Sequence, residues 1–477
     1  MKTRILAPLL GSLLLLAAPA AADDLATPFA PGGVDPVTGR VSPPPPPLPG
    51  HRLEFHADFQ TVGLWRSDRD FTREAPYYDH GQSAGAIATI LTPRLTLHVG
   101  GAFRVYWEAE VGLNYWSRNS PDEQDPTAAD VFVLKQREIF GEGTLAGGRF
   151  GFKVGYQRFL DTTGLFVNHW LGAAQAWWNF GDAARVSAFF AQVPDNNWEG
   201  ITIHDNNFDS DIFLFGARAD VRLAPDLRLS IALHDLWDSH VEGKRLWVVA
   251  PNARLAGRFG FVTAWIDGVL QYGKREGAAV APGGGLDDQT LLAWAWQAHA
   301  AFDLAPVVLT LNVFATSPDD REPGNERDGT FLYSGKNASA TSYLTEDEVR
   351  DWYDNLDERL AAPGGEATVP RFPFYLGRAG LLVGDARVAW TVAPWFRPAL
   401  TIGVASALKA ANALGNRYLG TEGVLSLEFR AGEHLVAHVV GGVFVPGKAA
   451  SVLNRVDPAA LATDTAWWTE ASLMLRY

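Results

Sequence analysis

Leu53-Glu54-Phe55-His56-Ala57-Asp58-Phe59-Gln60 alternates without a break, apolar at the odd positions and polar at the even ones. Successive side chains of an extended chain point to opposite faces, so this stretch reads as a strand with one dry and one wet face. The same period returns at Trp107, Ala109, Val111, Leu113 and Tyr115 against Glu108, Glu110 and Asn114. It returns at Phe213, Phe215, Ala217, Ala219 and Val221 against Arg218, Asp220 and Arg222, and at Leu227, Leu229, Ile231 and Leu233 against Arg228, Ser230 and His234. Leu425, Leu427 and Phe429 against Ser426, Glu428 and Arg430 repeat it near the end. Beyond Arg52 no uninterrupted apolar run reaches the roughly 20 residues that a membrane helix needs.

Many alternating strands suit either a soluble sandwich, barrel or propeller, or a transmembrane barrel with an apolar outside and a polar inside. The connections discriminate. Tight turns are read at Thr92-Pro93-Arg94, Ala146-Gly147-Gly148, Gly181-Asp182, Ala224-Pro225-Asp226, Ala256-Gly257, Asp303 to Pro306, Ala393-Pro394 and Ala431-Gly432-Glu433. Between them lie long polar loops: Ser67 to His80, Arg118 to Asp130, Arg158 to Asn168, Pro194 to Asp211, Trp237 to Arg245, Lys274 to Asp288, Thr316 to Leu376, Leu408 to Arg417 and Pro446 to Thr465. Eight short and nine long connections in strict alternation predict 18 antiparallel strands, with 16 as the alternative because Leu95 to Trp116 and Leu246 to Leu255 are the least defined. Short periplasmic turns opposite long outside loops are the habit of outer-membrane barrels, and that is the predicted fold and location.

The flanks agree. Lys2 and Arg4 precede the apolar run Ile5 to Ala18, and Ala20-Ala21-Ala22 offers a small-residue cleavage site, so residues 1–22 read as a signal peptide. Residues 23–50, with Pro43 to Pro47 and Pro49, have almost nothing to bury and read as an extended periplasmic spacer. The barrel then occupies 51–477. The whole chain carries a net charge of −14, has 47% hydrophobic residues and no Cys. That balance excludes a disulfide scaffold, a Cys-ligated metal protein, a disordered chain and a broadly basic nucleic-acid binder. Its aromatic content of 12% suits rings settling at the two membrane interfaces; Tyr106, Trp107, Tyr115, Trp116, Trp170, Trp177, Trp178, Trp294, Trp296, Trp390, Trp395, Trp467 and Trp468 lie on or beside the predicted strands. Ala471, Leu473, Leu475 and Tyr477 share one face of the last strand.

Two blocks carry a family resemblance. Gly155-Tyr156-Gln157-Arg158-Phe159-Leu160-Asp161, leading through Gly164 to Asn168 and on to Gly172-Ala173-Ala174, resembles a strand-loop-strand unit of the alginate-export (AlgE-like) outer-membrane family. Tyr418 to Glu422, Leu425 to Arg430, Leu435 to Val440 and Val443-Phe444-Val445-Pro446-Gly447 resemble that family's late segment. Tyr156 stands where the family commonly has Arg. The resemblance implies an 18-stranded barrel that exports an anionic polysaccharide such as alginate.

Strand parity places Lys153, Arg218, Arg222, Arg228, Arg387 and Arg430 on the inner face, with Arg378 a weaker case. Much of the acid lies in loops, at Asp68, Asp70, Glu74, Asp122, Glu123, Asp125, Asp319, Asp320, Glu322, Glu326 and Asp328. Inward cations lower the barrier for anions in a water-filled pore, whereas Arg218, Asp220 and Arg222, or Glu428 and Arg430, could equally be ion pairs along the wall. Thr345-Glu346-Asp347-Glu348 is a capping box opening a helix to about Leu360 inside the longest loop, 316–376, and this helix is a candidate gate. Asp195-Asn196-Asn197, Asp205 to Asp211 and Asp319 to Asp328 supply the hard oxygens calcium prefers, without EF-hand spacing. No nucleophile elbow, Walker loop, HExxH or Rossmann fingerprint is present, and His234-Asp235 cannot form a triad because neighbours in a strand face opposite sides. His98, His299 and His438 read as polar groups of the wall or lumen. The expected protein is therefore not an enzyme and has no cofactor. It is a channel for passive export or diffusion of anionic solutes, by resemblance an acidic polysaccharide. A general or small-solute porin and a structural or adhesive barrel with a plugged lumen are the alternatives. Its expected partners are anionic polysaccharide or small anionic solutes, outer-membrane lipid and the barrel-insertion machinery, with no nucleic acid.

Overall fold

Where the chain runs out of alternating residues it turns, and 18 strands result. A computed structural model of the chain describes residues 51–66, 84–116, 132–193, 201–202, 212–239, 245–279, 286–318, 327–329, 331–332, 380–409, 415–432, 434–453 and 464–477. The wall strands are His51–Arg66, Ala84–Val99, Phe103–Trp116, Phe132–Leu145, Phe150–Leu160, Asn168–Phe180, Ala184–Gln192, Ile212–Ala224 and Leu227–Asp238. The second half follows with Arg245–Phe259, Val262–Ala279, Leu286–Leu304, Val307–Thr316, Leu381–Trp390, Phe396–Ala407, Tyr418–Ala431, Leu435–Pro446 and Ala466–Arg476. Each pairs antiparallel with the next, and the last pairs with the first from Asp58 opposite Arg476 to Arg66 opposite Trp468, so the sheet closes on itself. Closure removes the open sheet edge that hydrocarbon would not tolerate. The two-residue pieces Ile201–Thr202 and Arg327–Asp328 and the helix Lys448–Leu453 are the remaining described elements. The signal peptide, the proline spacer, the capping-box helix from Thr345, the clusters at Asp195 and Asp205, and all but Asp328 of the acids in the cluster from Asp319 lie outside the described residues.

Two of the eight expected turns are displaced. Thr92, Pro93 and Arg94 sit inside Ala84–Val99, and the chain turns instead at Gly100 and Gly101, with φ of 60° and 73°. Ala256 and Gly257 sit inside Arg245–Phe259, with the turn at Gly260. The proline misleads because it is not a strand breaker when one ladder is spared. Pro93 stays opposite Ala57 on one side, while on the other the pairing to Phe103–Trp116 lapses between Leu91–Val111 and Arg94–Glu108. Pro251 does the same, opposite Leu233 on one side and in a gap between Val249–Tyr272 and Asn252–Val269 on the other. A residue without an N–H can stand in a sheet at the cost of one ladder bond.

The outer face is largely apolar: Phe55, Phe59, Ile231, Leu233, Ile266, Leu270, Leu400, Ile402, Leu425 and Leu473 are exposed large hydrophobics. Aromatic rings mark its two rims. Trp237, Trp247 and Tyr272 cluster at the long-loop end, with ring centroids 6.5 and 6.3 Å apart, and Trp178, Trp390 and Trp395 lie exposed near the short turns. Adjacent tryptophans split between the faces, as period two demands. Trp178 and Trp467 face out, whereas Trp177 and Trp468 are buried inside.

Gly442 makes room for one of those inner rings. A Cβ there would lie 2.1 Å from Trp468 Nε1, the atom that donates to Glu422 Oε1 at 3.2 Å. Gly442→Val is expected to expel the indole and to lower stability by roughly 2 to 3 kcal/mol, as overpacking does. The measurement is the temperature at which the folded, fast-migrating band disappears in heat-modifiability gels, and an unchanged transition would refute the packing argument.

Candidate functional site: the barrel lumen

The inner face has two zones. Toward the short turns it is charged, and most charges are cancelled locally. Asp220 is the hub of one group: Arg218 Nη2 at 2.8 Å, Arg228 Nη2 at 3.2 Å and the Ser230 hydroxyl at 2.5 Å all approach its Oδ1. Arg94 spans Asp58 at 2.7 Å and Glu108 at 2.8 Å, and the Tyr106 hydroxyl donates to the same Glu108 oxygen. Arg104 pairs with Glu142. Arg254 makes two bonds to Asp267, at 2.6 and 2.5 Å, while its guanidinium lies over Trp265, whose other neighbour, His299, stacks at 5.1 Å. In such pairs each partner lowers the cost of burying the other.

The residues that parity placed inside mostly are inside, though they are not alike. Arg218 and Arg228 share Asp220, and Arg430 donates to Glu428 Oε1 at 2.6 Å. Lys153 stands opposite Glu142 with its ammonium 3.7 Å from the centre of the Phe140 ring. Among the described residues, the carboxylate that Arg222 approaches is the exposed Asp182, at 3.9 Å. Arg387 forms no ion pair with a described residue, and neither does Arg397, which the sequence reading passed over. Arg378 lies outside the described residues. The expectation that much of the acid would lie in loops left out Asp58, Glu108, Glu142 and Asp267, whereas Asp220 and Glu428 form with Arg218 and Arg430 the wall ion pairs that parity offered as the alternative. These carboxylates sit on the inner face within reach of the cations, because register brings them there. Arg397 is directly opposite Glu428 and Arg387 opposite Thr401. Arg387 feels the charges of Arg397, Glu428 and Asp385, and Arg397 those of Glu428 and Arg430. His438 lies 3.9 Å from Glu428, His98 3.4 Å from Glu54, and His299 Nδ1 2.7 Å from Asn312 Oδ1.

Toward the long loops the inner face is apolar and packed. Ile212, Leu214, Leu236, Leu246, Val248, Ala250, Leu291, Ala293, Phe314, Leu381, Val383 and Phe444 belong to one buried cluster. Three segments join it. Residues 161–167 contribute Leu165, Phe166 and Val167; residues 331–332 contribute Phe331 and Leu332; the helix Lys448–Leu453 contributes Ala449 and Ala450. Gln271 binds Leu332 in both directions, Nε2 to the carbonyl at 2.7 Å and Oε1 from the N–H at 2.8 Å, and Arg275 holds Asp328 at 2.5 Å. Strand alternation could not announce this zone, since both faces of these strand ends are apolar. The signal available was the unbroken run Leu246-Trp247-Val248-Val249-Ala250, and likewise Leu291 to Ala295.

His234 and Asp235 are separated by the wall. His234 Nδ1 meets Asn252 Nδ2 at 2.7 Å inside, and Asp235 accepts from Trp247 Nε1 at 2.8 Å outside. Among the described residues no group of three or more His, Asp or Glu side chains could hold a metal ion.

No family model matches this sequence, and no curated protein matches it. Solved structures do resemble the fold. Acinetobacter baumannii OccAB1 is 9% identical over 89% of this chain and 96% of its own, with a TM-score of 0.53. The outer membrane protein OpdK from Pseudomonas aeruginosa is 10% identical over 89% and 98%, at 0.53. Pseudomonas aeruginosa OccK9 (OpdG) is 11% identical over 89% and 98%, at 0.54. The chain thus shares with these solved structures the fold of a closed 18-stranded antiparallel β-barrel. The alginate-export resemblance is overturned, because the matching barrels are of the Occ and OpdK kind. The blocks that suggested it encode wall geometry instead. Gly155, at φ 137°, leaves no space for a Cβ, which would lie 2.3 Å from the Ile139 carbonyl, and Gly447 donates to the Leu419 carbonyl at 2.7 Å. Such local bends say how a strand leaves the wall and nothing about cargo.

Proposed function

We propose that this barrel is a porin, a passive diffusion channel for small solutes with a preference for small anions. One observation carries the reading: a charged inner wall leads from the periplasmic mouth to a short segment, residues 161–167, that leaves the wall and is held by side chains of distant strands. A polar wall lowers the cost of entry for hydrated solutes, and a segment inside the lumen limits their size, which favours small molecules over a polymer. Arg387 and Arg397, without a carboxylate partner among the described residues, supply uncancelled positive charge on that wall, with Lys153, Arg218, Arg222, Arg228 and Arg430 as the partly cancelled remainder.

The apolar packing near the long loops favours a second reading, a barrel whose lumen is shut by its own segments. Liposome swelling decides between them. Proteoliposomes of the refolded protein are expected to swell in isotonic arabinose, more slowly in disaccharide and not in dextran. No swelling in arabinose would establish the shut barrel, and swelling in dextran would overturn the small-solute reading.

A further inference from the structure

One loop carbonyl inside the barrel is gripped from two strands at once. Residues 161–167 form a self-closed turn: Thr163 N and Oγ1 donate to Asp161 Oδ2 at 3.2 and 2.7 Å, Val167 N donates to Asp161 Oδ1 at 3.2 Å, and Asp161 N donates to the Val167 carbonyl at 2.9 Å. The Leu165 N–H donates to Thr163 Oγ1 at 3.1 Å. The carbonyl of Thr163 takes no part in these internal bonds. It accepts from Arg254 Nη2 at 3.1 Å and from Gln297 Nε2 at 3.0 Å, residues 91 and 134 positions further along the chain.

Between the strands bearing Arg254 and Gln297 runs the one bearing Asp267, with Arg254 opposite it on one side and Gln297 on the other. Its carboxylate is 2% exposed and bonds both donors: Oδ1 to Arg254 Nε at 2.6 Å, Oδ2 to Arg254 Nη2 at 2.5 Å and to Gln297 Nε2 at 2.8 Å. A long flexible side chain holds a fixed donor position only when its other donors are already engaged, and here one carboxylate engages both. Stacking of Arg254 on Trp265, 4.6 Å from the ring centre, removes the remaining freedom of the guanidinium.

We infer that Asp267 is the positioning residue of the constriction: through Arg254 and Gln297 it clamps the Thr163 carbonyl, and thereby sets the size of solute that passes. The inference rests on the channel reading for its consequence, and its mechanical part is testable without conduction. The chain has no Cys, and Thr162 is buried with an unpartnered hydroxyl, so Thr162→Cys is a clean reporter. In proteoliposomes of the whole protein the thiol is expected to react with a small water-soluble methanethiosulfonate at least tenfold faster once Asp267→Asn is added. Gln297→Leu, which leaves the Arg254–Asp267 pair intact, is expected to act in the same direction and covers the case in which the Asp267 variant folds poorly. Equal thiol rates in the Gln297→Leu and parent proteins, with both showing the folded band on gels, overturn the clamp. If the rates rise and disaccharide swelling rises with them, the clamp and its role in sieving both stand. If the rates rise while the parent passes no arabinose, the clamp stands and the channel reading fails.

Discussion

Replacing Arg387, Arg397 and Arg430 together by Gln is expected to move the zero-current potential of the reconstituted channel toward cation selectivity. The chloride-to-potassium permeability ratio should fall about threefold or more, since uncancelled wall charges control permeation in narrow water-filled pores. The expectation follows from which charges have partners. Arg387 and Arg397 face the lumen without an ion pair among the described residues, and removing Arg430 in addition strips Glu428 of the donor that holds its Oε1 at 2.6 Å. Three cations go and a carboxylate is uncovered at the same place. The control is Arg104→Gln with Glu142→Gln, which removes one paired cation and its anion and should leave the potential within the scatter of the parent. A triple variant with the parent's reversal potential would sink anion preference while leaving small-solute diffusion intact. High salt should shrink the difference, because screening shortens the reach of each charge.

Asp220→Ala is expected to be the most damaging single substitution in the wall. The carboxylate is 4% exposed and answers Arg218 and Arg228, and Arg185 stands directly opposite it in the neighbouring strand. Its removal takes from Arg218 and Arg228 the buried carboxylate that they share, and deleting one partner of a buried pair costs roughly 3 to 5 kcal/mol. Urea unfolding of the detergent-solubilised protein should show this as a lower midpoint, with heat-modifiability shifting the same way. Asp220→Asn should recover part of the loss, since its amide oxygen can still accept from the Ser230 hydroxyl that now bonds Asp220 at 2.5 Å. An Ala variant as stable as the parent would mean that water or neighbouring acids solvate those arginines, and the hub would lose its structural meaning.

Both results depend on a distinction that residue identity does not contain. Arg218 and Arg387 look equivalent in the sequence, each an Arg at an inward position of an alternating segment. They differ because Asp220, two residues from Arg218 on the same strand, bonds Arg218 and Arg228, whereas Asp385, two residues from Arg387 on its strand, accepts from Asn312 at 2.9 Å and forms no ion pair with Arg387. The same blindness explains the displaced turns. Pro93 and the Ala256-Gly257 pair carry turn chemistry, yet the alternation runs through them: pairing on one side keeps Pro93 extended, and Ala256 and Gly257 are paired on both sides. The lumenal carboxylates of Asp58 and Glu108 went uncounted as inner charge for a related reason: the acidic loops drew the reading outward, although the alternation already placed both on the wet face.

Fold class, strand number and the two faces of the wall were legible in the amino acids alone. Alternation is a consequence of extended backbone geometry and needs no partner to be read, and the contrast between tight turns and long polar loops is local chemistry. The packed apolar zone, the inward position of residues 161–167 and the pairing of each lumenal charge came only with tertiary structure. Those features are set by register and by contacts between residues 91 or 134 positions apart, such as Thr163 with Arg254 and Gln297. A period of two cannot encode a separation of that length, so the wall can be read from the chain, while what narrows it depends on how the strands close.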